Sequence, residues 1–154
     1  MTPMTALMSN VRWTGAACLA VLFGTATATL AQTIPSPALL VLNKTDATLA
    51  ILEPASGKLA GRVPTGEGPH EVAVSADGKL AFVANYGGQA PGNTISVIDL
   101  ASQRELRRFD VSPLRRPHGL YVAEGKLFFT AEVNRAIARY DPATDKIEIG
   151  RAHV

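Results

Sequence analysis

Two histidines stand at matching points of this chain. His70 lies in Pro69-His70-Glu71-Val72-Ala73-Val74 and His118 in Pro117-His118-Gly119-Leu120-Tyr121-Val122, 48 residues later. Neutral imidazole is a common metal ligand. Two such groups, with Glu71 as a carboxylate, could hold a metal ion or help seat a haem. Gly119 takes the place of Glu71 in the second copy, so no acidic ring is built. The competing reading is structural, because a Pro-His pair that recurs by repetition can serve the turn alone. A second group is basic: Arg104, Arg107, Arg108, Arg115 and Arg116 fall within 13 residues. They could contact phosphates. Single-strand binding would also need stacking aromatics, and only Phe109 and Tyr121 are near. A solvated strand with Glu105 and Asp110 as partners accounts for the same charges. Nothing resembles a nucleophile with its base: Ser75 and Ser96 sit in strand patterns without a paired motif. Gly87-Gly88-Gln89-Ala90-Pro91-Gly92 reads as a flexible loop and not a phosphate loop, since no Gly-Lys-Ser/Thr follows. Asn43 and Asn85 read as turn formers, and Glu53, Asp99 and Asp141 as turn caps.

The elements that must carry these residues come from the rest of the chain. It has 154 residues, 15 Lys+Arg against 13 Asp+Glu, and a net charge of +2. That charge gives little long-range field for nucleic acid. One cysteine, Cys18, excludes an internal disulfide framework and a Cys-rich zinc site. Residues 1–31 hold no acid and one base, Arg12, followed by an uncharged apolar stretch, Trp13–Leu30. A basic start, an apolar core and small residues before a cut describe a secretory signal. The predicted cut follows Ala31 and leaves Gln32 first, with no cysteine in the mature chain, which suits an oxidising compartment. A retained anchor is the alternative. An exported protein, periplasmic or extracellular, is expected, with 32–37 as a linker.

The mature part repeats. Thr48-Leu49-Ala50-Ile51-Leu52-Glu53 matches Thr94-Ile95-Ser96-Val97-Ile98-Asp99 and Ala136-Ile137-Ala138-Arg139-Tyr140-Asp141, at intervals of 46 and 42 residues. Each Pro-His segment runs through a Gly turn into Lys-Leu and an apolar run. The complete copy reads as four strands, about His70–Ser75, Leu80–Asn85, Thr94–Leu100 and Glu105–Val111, and no segment has a convincing helical period. Four-stranded units at this period mark a β-propeller blade. The predicted fold is an all-β propeller of four-stranded antiparallel blades. It is incomplete, with about two and a half blades at 38–66, 67–112 and 115–148.

The stretch from Gly68 to Tyr86 closely resembles the YVTN-type propeller repeat. Pro69-His70, Ser75-Ala76-Asp77-Gly78 and Phe82-Val83-Ala84-Asn85 fill its slots, and Asn93–Asp99 fills the next strand. The resemblance covers residues 38 to about 148 and is similar to exported YncE-like and surface-layer propellers. It departs at Thr130-Ala131-Glu132 and at Ile34-Pro35-Ser36-Pro37, which stands where the first copy lacks Pro-His. The resemblance implies a ligand- or partner-binding scaffold acting at its central face, with no cofactor expected. A lactonase-like or haem-carrying propeller enzyme using His70 and His118 is the alternative. Single-stranded DNA binding through Arg104–Arg116 is a second one.

A propeller closes with about four to eight blades. The chain is therefore expected to be an N-terminal fragment of a longer protein. Ile149-Gly150-Arg151-Ala152-His153-Val154 matches what a common sequencing-adapter DNA encodes in one frame, so 149–154 are expected to be a non-native tail and His153 to carry no function.

Overall fold

A computed structural model describes residues 34–151. The expected signal segment 1–31 with Cys18, its expected cut before Gln32, and Ala152-His153-Val154 of the expected tail lie outside the described residues. Eleven strands fill the described part: β1 (Leu39–Asn43), β2 (Thr48–Leu52), β3 (Leu59–Pro64), β4 (Pro69–Val74), β5 (Leu80–Gly87), β6 (Pro91–Asp99), β7 (Arg104–Asp110), β8 (Pro117–Ala123), β9 (Lys126–Ala131), β10 (Ala136–Asp141) and β11 (Lys146–Arg151). They form three antiparallel meanders, β1-β2-β3, β4-β5-β6-β7 and β8-β9-β10-β11. These are the three blades. Among the described residues the first has no inner strand, and residues 34–38 are irregular.

The blades stack face to face through two apolar layers. Blades one and two share Leu49, Ile51, Val63, Ala81, Val83, Ile98 and Leu100. Blades two and three share Phe82, Ile95, Val97, Leu127, Phe129, Ala138 and Tyr140, with Val111 and Leu114 from the connection between them. Side chains alternate across a strand. In β5, Ala81 and Val83 therefore face blade one while Phe82 faces blade three. A strand buried on both faces reads as a continuous apolar run, which is why Leu80–Ala84 shows no polar alternation.

Two features differ from the sequence reading. Gly87–Gly92 is not a loose loop: β5 and β6 extend into it, and Gly87 pairs with Pro91. Gly87 has φ +89° and donates its N–H to the Glu67 carbonyl, so only Gly88, Gln89 and Ala90 form the exposed tip. Asn85 is not a turn former. It is 2% exposed, accepts the Gly66 N–H at 3.0 Å, and donates to Thr94 Oγ1 and Ser96 Oγ at 3.0 and 2.9 Å. It joins blade one's exit to blade two. Beyond Glu148, β11 continues, and Ile149 and Gly150 pair with Ala138 and Ile137.

Asp99 and Asp141 do cap turns. Asp99 accepts the Ser102 N–H at 2.6 Å and Asp141 the Ala143 N–H at 3.0 Å. Glu53 accepts instead from the Ser56 hydroxyl at 2.6 Å.

Candidate functional site at the heads of the inner strands

The inner strands β4 and β8 each begin with Pro-His and each begin with a β-bulge. In β4 the register shifts between Pro69 and Glu71, so His70 has no partner of its own on β5. In β8 it shifts between Pro117 and Leu120, leaving His118 and Gly119 together against β9. There the Gly119 N–H donates to the Thr130 hydroxyl at 2.9 Å. Successive side chains of a regular strand point to opposite faces. An extra residue breaks that alternation and re-aims a side chain. Neighbours His70 and Glu71 can therefore serve one site.

The two bulges bring the histidines of adjacent blades together. Their ring centroids are 4.3 Å apart at 40°. Tyr86, at the end of β5, lies 5.1 Å from the His70 ring and 5.7 Å from the His118 ring, edge-on to the latter. Glu71 Oε1 is 3.9 Å from His70 Nδ1. His70, Glu71 and His118 each offer one donor atom, and all three atoms lie within 4.8 Å of one another. The side chains of His70 and Glu71 are 33% and 42% exposed, open enough for a ligand to reach them.

Blade three fixes Tyr86. The Arg116 guanidinium covers its ring at 4.6 Å and donates to its hydroxyl at 2.8 Å. That hydroxyl donates in turn to Glu132 at 2.6 Å. Lys44 of the β1–β2 turn lies 5.2 Å from the same ring. Backbone bonds tie the parts: Tyr86 N–H to Gly68, Arg116 N–H to Gly92 and Glu132 N–H to Arg116. Beside His118 a hollow of about 390 Å³ opens between Thr130, Glu132, Arg135, Ala136 and Ile137.

The five arginines do not form one surface. Arg104, Arg107 and Arg108 lie on the outer strand β7, whereas Arg115 and Arg116 precede the inner strand β8. Arg107 pairs with Asp145 at 2.8 Å and Arg108 with Glu105 at 2.9 Å. Arg116 is committed to Tyr86. Of the aromatics near them, Tyr121 is 68% exposed, whereas Phe109 stacks on Tyr140 at 4.2 Å.

Sequence reasoning paired His70 with His118 but missed Tyr86, Glu132 and Lys44. The one available signal was Tyr86 itself, an aromatic closing the apolar run that follows Pro-His.

No family model and no curated protein matches the chain. Solved structures do. A hydrazine synthase from Kuenenia stuttgartiensis matches with a TM-score of 0.65 at 16% identity, over 84% of this chain and 38% of that one. A virginiamycin B lyase from Staphylococcus aureus, solved with quinupristin, gives 0.64 at 18%, over 77% and 39%. The WD40 repeats of RRP9 give 0.63 at 18%, over 75% and 36%. The chain thus spans less than two fifths of each of these structures. At such identities the likeness is one of fold. Three antiparallel blades stacked through two apolar layers, matched by propellers of unrelated activities, make this chain a run of β-propeller blades.

Proposed function

We propose that the chain belongs to an exported, YncE-like β-propeller that works as a binding scaffold, taking a small ligand where its inner strands begin. One observation carries this reading: His70, Glu71 and Tyr86 of blade two converge with His118 of blade three, beside a hollow of about 390 Å³. Small-molecule sites are concave, about 300–1,000 Å³, with a few polar groups placed among apolar walls. The acid-free, apolar segment 1–31 supports export.

Thermal unfolding of the full chain with a fixed panel tests the proposal. The panel is zinc and copper ions, haemin, citrate and pyrophosphate. At least one member should raise the melting temperature of the wild type and not of the His70→Gln, His118→Gln double variant. A panel in which no member separates the two proteins overturns the reading.

A further inference from the structure

We propose that His70, Glu71 and His118 form a binding site for a divalent transition-metal ion of the zinc and copper class. This rests on the scaffold reading above and names its ligand. Two imidazoles and one carboxylate suit such ions better than magnesium or calcium, which favour all-oxygen sets. Donors about 2.1 Å from one tetrahedral ion stand roughly 3.4 Å apart. The three donor atoms here lie within 4.8 Å of one another, and Glu71 Oε1 is already 3.9 Å from His70 Nδ1. Closing that gap needs only side-chain rotation by half-exposed groups.

The backbone supports the same assignment. A strand without its bulge would send His70 and Glu71 to opposite faces. The shift between Pro69 and Glu71 removes that obstacle, and the matching shift in β8 frees His118 in the next blade. Tyr86 packs against both imidazoles and holds them on one side of the blade junction. Arg116 donates to the Tyr86 hydroxyl, which in turn donates to Glu132, so the guanidinium is held on the tyrosine. Three protein donors leave a coordination position open for an exchangeable ligand.

The test is titration of the full chain with cobalt(II), read by visible absorbance, with zinc(II) as competitor. One ion per chain should bind, with the intensity of a low-coordinate nitrogen and oxygen site. His70→Gln and His118→Gln should each weaken binding by roughly 100-fold, and Glu71→Gln by about 10-fold. His153→Ala and Tyr121→Ala should leave it unchanged. Circular dichroism of each variant shows whether the strands are kept. Cobalt binding that is absent, or that survives both histidine changes in folded protein, overturns the proposal. If metals fail in the unfolding panel while haemin, citrate or pyrophosphate succeeds, the metal site falls and the scaffold reading stands.

Discussion

Arg116 of blade three grips Tyr86 of blade two twice, covering its ring at 4.6 Å and donating to its hydroxyl at 2.8 Å. The second hold depends on one oxygen atom, which also donates to Glu132. Tyr86→Phe keeps the ring and removes both hydrogen bonds. The expected loss is about 1–2 kcal/mol, since the partners stay solvated enough to find water. Urea unfolding measures it. Cobalt affinity should change by less than threefold, because the ring that packs on the imidazoles remains.

Asn85 is a costlier position. Its buried carboxamide makes three bonds, one to the Gly66 N–H and two to the Thr94 and Ser96 hydroxyls. Asn85→Ala strands the Gly66 N–H, and Asn85→Leu does so while also crowding Gly66, which sits against the amide. Each should lose roughly 2–4 kcal/mol in urea unfolding. A loss below about 0.5 kcal/mol would mean that this polar link does not hold the blades together.

Gly68 sets where β4 starts. It has φ +60°, and a Cβ there would run into the Gly87 carbonyl. Gly68→Ala should lose roughly 2 kcal/mol or more, from left-handed strain and the collision together. Because Pro69-His70 follows directly, cobalt affinity should fall as well. Gly78→Ala is the control: its φ is +71° but its surroundings are open, so it should lose stability and leave the metal untouched.

Acid should weaken the fold through its turn caps. The Ser102 hydroxyl and N–H hold the Asp99 carboxyl below its ordinary value of 3.8. Ser112 does the same to Asp110, Lys126 and the Ala143 N–H to Asp141, and Ser75 to Asp77. A carboxyl lowered on folding contributes stability that is fully present above its unfolded value. That contribution is lost as pH falls through the folded value. Urea midpoints should hold down to about pH 4 and decline below it. In Asp99→Asn the midpoint should be lower at neutral pH and the acid decline shallower. An unchanged acid profile in that variant would show that the cap is not linked to folding.

The blade period and the equivalence of His70 with His118 were legible because repetition writes them twice. The four-stranded unit was legible because Gly, Asp and Pro punctuate it. Asn85 was misread because an amide between an apolar run and a glycine-rich stretch has the local signature of a turn. Its partner Gly66 is 19 residues away. Arg116 was grouped with its charged neighbours for a similar reason. Its actual partner is 30 residues upstream, in another blade. The bulges were invisible too, since register is a property of two strands and sequence shows one at a time.

Those paired bulges make the site adjustable without touching the fold. Blades two and three each carry two consecutive positions at their bulges, and blade three fills its second with glycine. A Cβ at Gly119 would meet only the Thr130 side chain, at 3.5 Å and 4.0 Å, and its φ needs no glycine. A carboxylate there would mirror Glu71 and complete a four-donor set. In the proposed site, ligand chemistry would be set by a two-letter address in each Pro-His blade, open to single-residue change while the apolar layers stay as they are.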